Sequence, residues 1–289
     1  MKQLNLFLEL TRLKRPIGYM LLFWPCLWGL AIAYDFSMNI QFFIKYALLF
    51  FLGAILMRSA GCIVNDIFDK NFDSKVKRTK NRPIASGDIS VKLGLFYVLI
   101  LCGIAFVVLI QFNFFTIILA LASMPLAFTY PLMKRFTYWP QLFLGVTFNY
   151  GLILGWTSIK SEISIVPILF YIGAIFWTLG YDTIYGFQDI NDDEIIGVKS
   201  TSIKFKKNPK LFIFACYLIF AITLIFIGYK MNFSNIYFLG SIIIILHLFI
   251  YQLFNLNIKS SKDCLRVFKS NNFLGFLIFI NILIGKIII

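Results

Sequence analysis

The 289-residue sequence predicts an all-α, polytopic membrane protein with nine transmembrane helices, on three observations. The first is composition: 60% of residues are hydrophobic, 18% aromatic and only 14% charged, with a mean hydropathy of +0.84. A soluble domain is usually about 45–50% apolar and about 25% charged. A chain of this length cannot hide so much apolar side chain in one aqueous core, which excludes disordered, fibrous and ordinary soluble classes. The second is the recurrence of apolar runs of about 20 residues, the length that crosses a bilayer as a helix. The third is that these runs, filled with Phe, Ile and Leu, lack strand-like alternation, which favours helices over a barrel.

In chain order, residues 1–16 come first. Leu4, Phe7 and Leu8 against Arg12, Lys14 and Arg15 describe a short amphipathic segment on the membrane surface, and no A-x-A-like cleavage site precedes the first span. The spans are then expected at 17–34, 40–57, 93–111, 113–129, 138–157, 164–184, 211–229, 234–254 and 272–289. The whole of 1–289 reads as a single domain. Nine crossings place the termini on opposite sides.

The basic residues orient the stack. With a cytoplasmic N-terminus, all but four of the 27 Lys and Arg fall on the cytoplasmic side; the exceptions are Lys45, Lys160, Lys230 and Lys286. Loop Lys and Arg prefer the cytoplasm, so an integral protein of the bacterial inner membrane is expected, with its C-terminus outside. The formal net charge of +14 then faces anionic lipid, and nucleic acid is not needed to explain it. Five scattered cysteines without C-x-x-C spacing, and the lone His247, read as packing residues.

The 13 acidic residues are the most informative. Five are scattered (Glu9, Asp35, Asp88, Glu162, Asp263); the rest form two clusters. The first is Asn65-Asp66-Ile67-Phe68-Asp69-Lys70-Asn71-Phe72-Asp73, the second runs from Asp182 through Tyr185, Asp189, Asp192 and Asp193 to Glu194. Both are expected at cytoplasmic ends of spans. Asn65, Asp69 and Asp73 at i, i+4 and i+8 share one helix face, and so do Asp182, Tyr185, Asp189 and Asp193 at i, i+3, i+7 and i+11; Asp66 and Asp192 flank these stripes.

Two acidic stripes facing each other bring together carboxylates that cannot all stay ionised without a counter-charge, and burial at a membrane boundary raises the cost. All-oxygen donors with no His or Cys point to Mg²⁺ or Mn²⁺ rather than zinc. Mg²⁺ commonly bridges carboxylates to phosphate, and Lys75, Lys77, Arg78, Arg82 and Lys199 lie beside the clusters, where Arg can grip phosphate bidentately. A polyanionic headgroup on a lipid tail fits a polar pocket with an aromatic floor. A solvated charged rim would explain either cluster alone far better than it explains both.

At these residues the chain resembles the UbiA superfamily of intramembrane prenyltransferases. Its Asn-x-x-x-Asp-x-x-x-Asp motif is met by Asn65, Asp69 and Asp73, and its Asp-x-x-x-Asp motif by Asp189 and Asp193. Further stretches look most like the branch acting on 4-hydroxybenzoate in ubiquinone synthesis. They are Arg15-Pro16-Ile17-Gly18, Arg58-x-Ala60-Gly61-Cys62-x-x-Asn65-Asp66, Val76-Lys77-Arg78-Thr79-x-x-Arg82-Pro83, Tyr130-Pro131-x-Met133-Lys134-Arg135, Tyr181-Asp182-Thr183-x-Tyr185 and Gly197-x-Lys199-Ser200-Thr201.

The resemblance implies nine helices around a central cavity, and Mg²⁺-dependent transfer of a polyprenyl group from polyprenyl diphosphate to the ring carbon beside the hydroxyl of 4-hydroxybenzoate. It implies Mg²⁺ ligands at Asn65, Asp69, Asp73, Asp189 and Asp193, with Asp66 and Asp192 as outer or alternate ligands. Phosphate cations are expected at Arg78, Arg82 and Lys199. Tyr185 is the expected face for an allylic cation, and Asp182 orients the phenol or takes the ring proton. Arg135 with Lys134, and then Arg15, are the candidates for the acceptor carboxylate. The alternatives are a sister enzyme with another aromatic acceptor, a cation-coupled transporter, and a scaffold, which has no need of two matched acidic stripes.

Overall fold

The computed structural model describes residues 2–74 and 79–287. Among them every regular element is helical. A surface helix α1 (Lys2–Leu10) leads into α2 (Ile17–Ala33), α3 (Ile40–Asp73) and α4 (Val91–Leu109). Then come α5 (Phe114–Ala122), α6 (Met124–Thr129), a 3₁₀ turn (Tyr130–Leu132), α7 (Met133–Phe136), α8 (Pro140–Lys160) and α9 (Ile165–Gly186). The short α10 (Ile190–Ile196) and α11 (Thr201–Lys204) precede α12 (Pro209–Lys230), α13 (Asn235–Leu246), a π-helical segment (His247–Phe254) and α14 (Ser261–Ile287). Among the described residues eight helical segments are long and apolar enough to span a membrane, and α2, at 17 residues, is a ninth apolar helix.

Local chemistry sets the boundaries. Asn39, Ser90 and Asn113 each turn a side-chain oxygen onto a free amide of the first turn of α3, α4 and α5. The expected span at 113–129 is not one straight helix: it breaks at Ser123, ahead of Pro125, and again at the 3₁₀ turn containing Pro131. Proline supplies no amide donor to the helix and crowds the preceding turn.

The expected span at 40–57 is the start of a much longer helix. Its 34 residues rise about 51 Å at ~1.5 Å per residue, against a hydrocarbon core of about 30 Å. The last turns of α3 therefore project beyond the core on the side that carries most of the loop Lys and Arg, and they carry the first acidic cluster with them.

The deepest packing joins α2 to α8. A Cβ at Gly155 would lie 2.2 Å from the Cys26 carbonyl oxygen, and one at Gly29 would lie 2.0 Å from that of Leu152. Small residues at both positions let the backbones touch, which is how membrane helices gain packing energy without a hydrophobic drive. Around this crossing Trp28, Phe170, Trp177, Tyr217 and Phe220 form a buried aromatic core. His247 is half-buried and its ring stacks on Tyr251, 5.0 Å between centroids, and all five cysteines are free thiols.

Candidate functional site

At the basic side of the bundle the helices enclose a polar basin of about 410 Å³, and both acidic clusters line it. One wall is the end of α3, which presents Asn65, Asp69 and Asp73 on a single face. Asp69 is 1% exposed and Asp73 7%, burial that an ionised carboxylate tolerates only beside a counter-charge. Lys134 donates to Asp69 Oδ2, and Arg82 Nη1 donates to Asp73 Oδ2 at 2.7 Å. Asp69 Oδ1 is buried without a hydrogen-bond partner; Arg135 Nη2 stays 3.9 Å from it.

The opposite wall does not have the predicted form. The stripe Asp182, Tyr185, Asp189, Asp193 is not one helix face, because α9 ends at Gly186 and Asp189 stands at the start of the separate α10. Gly186 packs so close to α11 that a Cβ there would lie 2.4 Å from Ser202 Oγ. The chain turns at that contact, and Gly197 in the left-handed region (φ +78°) closes α10. The turn still delivers Asp182, Tyr185, Asp189, Asp192 and Asp193 to the same basin. The segment is anchored beyond α10, where Thr201 N–H donates to Gln141 Oε1 at 2.9 Å and Ser202 Oγ to the Thr183 carbonyl at 2.7 Å.

Asp66, Arg135 and Lys134 have different surroundings. Asp66 does not line the basin: it is the next residue around α3 from Asn65, is 2% exposed, and receives Arg12 and Arg82. Arg135 is turned away, donating to the Phe68 carbonyl at 2.6 Å with its guanidinium over the Phe72 ring. Its neighbour Lys134 lines the basin and is engaged by Asp69. Finally, among the described residues no three acidic side chains converge as a ready-made cation cage. In the first arm, lysine and arginine supply the counter-charge instead. Arg15 lines the exposed mouth, and Lys199 lines the wall with its amine on the Phe136 carbonyl. Arg78, like Lys75 and Lys77, lies outside the described residues.

The floor holds a basic residue that the motif spacing does not single out as a site residue. Arg58 lies within α3, seven residues before Asn65 and hence on the same face. Its guanidinium sits over the Phe148 ring at 5.3 Å and against α2, where a Cβ at Gly18 would approach its Nε to 2.8 Å. Asp182 and Tyr130 are its electrostatic neighbours. A charge embedded in an apolar helix is itself a functional signal, and it was legible in the sequence. Beside it Tyr185 packs on Phe268 at 4.3 Å and Tyr181 on Trp177 at 4.9 Å between centroids. The Tyr181 hydroxyl is buried without a partner.

Arg58, Tyr130 and Phe148 also border a second chamber, of about 380 Å³. It is walled by apolar residues of α3, α4, α5 and α8, among them Gly53, Phe106, Leu121 and Leu154, and ends at Phe50 and Phe112, whose rings are 4.7 Å apart. Phe106 and Leu121 are also exposed on the outside of the bundle. A charged basin thus shares a wall with a greasy chamber inside the bundle.

The sequence pattern of the UbiA prenyltransferase family matches residues 22–282. Rat mitochondrial 4-hydroxybenzoate polyprenyltransferase is 40% identical, over 99% of this chain and 76% of its own length. The 4-hydroxybenzoate geranyltransferase 1 of Lithospermum erythrorhizon is also 40% identical, over 99% of this chain and 92% of its own. Among solved structures, a UbiA homolog from Aeropyrum pernix K1 superposes with a TM-score of 0.77 at 21% identity, covering 92% of this chain and 97% of that one. A UbiA homolog from Archaeoglobus fulgidus, bound to GPP and Mg²⁺, gives 0.72 at 16% identity, covering 97% and 99%. At those identities the two structures speak for the fold.

Proposed function

The chain belongs to the UbiA prenyltransferase family, and from that premise we propose that it transfers a polyprenyl group from polyprenyl diphosphate to 4-hydroxybenzoate, ortho to the hydroxyl, an early step of ubiquinone biosynthesis. The observation that carries this reading is the shared wall: a basin lined by two acidic arms and several cations opens beside an apolar chamber. A diphosphate with a long isoprenoid tail is the substrate class that needs both compartments at once. The names of the relatives support the acceptor.

The donor set fits Mg²⁺. Asn65, Asp69 and Asp73 on one arm and Asp189, Asp192 and Asp193 on the other are all oxygen donors, and the bare Asp69 Oδ1 is a buried acceptor whose desolvation a cation would offset. When bound, the metal supplies Lewis acidity to the departing diphosphate. Arg82 and Lys199 neutralise phosphate charge, and the tail lies in the chamber beyond Phe148. Arg58 at the floor, rather than Arg135, Lys134 or Arg15, takes the acceptor carboxylate.

The allylic C–O bond breaks with its electron pair on diphosphate, and the ring carbon forms the new C–C bond. The proton displaced from that carbon passes to Asp182. Tyr185, with Phe268 behind it, offers a π face to the allylic cation. The site faces the side rich in Lys and Arg, which the positive-inside rule makes cytoplasmic in a bacterial inner membrane.

Purified protein in proteoliposomes with Mg²⁺, polyprenyl diphosphate and 4-hydroxybenzoate is expected to yield ring-prenylated 4-hydroxybenzoate and diphosphate, while homogentisate and hydroxynaphthoate give no product. Reaction with one of those acceptors in preference to 4-hydroxybenzoate would assign it to a sister activity. Movement of a solute without chemical change would replace the reading altogether.

A further inference from the structure

The two arginines on Asp66 have a common feature: both also line the basin, whereas Asp66 does not. Arg12 Nη2 donates to Asp66 Oδ1 at 2.7 Å, and Arg82 Nη1 donates to the same oxygen at 3.2 Å. Arg12 comes from the segment after α1, Arg82 from the loop between α3 and α4, so one buried carboxylate gathers cations from two segments remote in sequence. Their backbones are pinned independently. Leu10, two residues before Arg12, and Ile84, two after Arg82, are both 0% exposed in one apolar cluster with Ala60, Ile63 and Val98. Arg12 moreover holds a left-handed backbone, φ 55°, which an L-residue other than glycine adopts only when its surroundings impose it.

We propose that Asp66 is a positioning residue, not a metal ligand, and that it holds Arg12 and Arg82 as a paired cationic wall for the diphosphate. This rests on the prenyl-diphosphate reading of the basin. Arg82 Nη1 also donates to Asp73 Oδ2 at 2.7 Å, so two guanidinium groups share two carboxylates, and what the pair offers phosphate oxygens is the N–H donors left over. A guanidinium carries five N–H donors; bonds from Arg12 to described residues, to Asp66 and the Cys62 carbonyl, use two. Fork-like donors held in place grip phosphate bidentately with little further loss of side-chain freedom. A carboxylate oxygen already receiving two arginines, on a side chain that does not line the basin, is poorly disposed to take a cation as well. The surface segment that contains Arg12 thereby becomes part of the substrate site.

The test measures KM for polyprenyl diphosphate, the Mg²⁺ concentration at half-maximal rate, and thermal stabilisation by inorganic pyrophosphate in EDTA, for wild type, Asp66→Asn, Arg12→Gln and the double variant. The expectation for each single variant is a KM for the diphosphate raised about tenfold, an unchanged Mg²⁺ midpoint, and loss of the pyrophosphate-induced rise in Tm. The double variant should be little worse than either single one, because both remove the same wall. A shifted Mg²⁺ midpoint with unchanged diphosphate KM in Asp66→Asn overturns the proposal and makes Asp66 a ligand. Unchanged KM and pyrophosphate response in Arg12→Gln overturn it equally, and that variant decides if Asp66→Asn does not fold. Wild type that makes no prenylated product refutes instead the reading on which the proposal rests.

Discussion

The two acidic arms of the basin are built in opposite ways. The first stands on the continuous, 34-residue α3, with Asp69 and Asp73 nearly buried and held by Lys134 and Arg82. The second stands on a seven-residue helix between Gly186 and Gly197, where Asp192 is exposed and Ile195 is 85% exposed. The difference teaches that one arm is a preset wall and the other an adjustable one. Local opening is least costly where buried contacts are few, so adaptation to a substrate falls to the second arm. Its anchoring through Thr201 and Ser202 keeps that adaptation local.

The largest expected effect tests what the arms share. Asp69→Ala and Asp189→Ala each should lower prenyl transfer by about 10²–10³-fold, the range for removing one preorganised charge-stabilising group; a rate near wild type in either would leave that arm without a part in the chemistry. Stability should then separate them. Asp69→Ala leaves the half-buried Lys134 without its carboxylate and is expected to cost about 1–3 kcal/mol, whereas Asp192→Ala should stay within about 0.5 kcal/mol, both read by thermal unfolding in detergent.

Next is the preset arm's own specificity. Arg58→Ala should raise KM for 4-hydroxybenzoate about 10–100-fold, the worth of a hydrogen bond to a charged group, with KM for the diphosphate unchanged. Arg135→Ala should leave the acceptor KM within about twofold, since the group faces Phe68 and Phe72. The reverse result would move the acceptor to the other side of α3.

The smallest effect concerns the adjustable arm. Gly197 has open space around its Cβ position but a φ of +78°, so Gly197→Ala should cost about 1 kcal/mol locally through backbone strain alone. Transfer is expected to fall about fivefold with Tm nearly unchanged. A matching fall in Tm would show that the second arm is as much a part of the rigid frame as α3.

Fold class, the apolar helices and the membership of both acidic arms can be read along the chain, because hydropathy and i, i+4 spacing are properties of contiguous residues. The first stripe survived into the structure for that reason: Asn65, Asp69 and Asp73 sit on one unbroken helix. Arg58 is legible too, as a charge in phase with that stripe, although it stands where the apolar run gives way to the polar end of α3. The break of the second stripe at Gly186 comes from packing, since the contact that turns the chain is made by Ser202, sixteen positions on. Packing also decides which cations serve the basin. Lys134 and Arg135 are neighbours in sequence yet one reaches the basin and the other turns away, while Arg12 and Arg82, seventy positions apart, meet on Asp66. Charge pairing acts through space over a few ångströms, and a linear pattern carries no record of which distant segments the packed helices bring within that range.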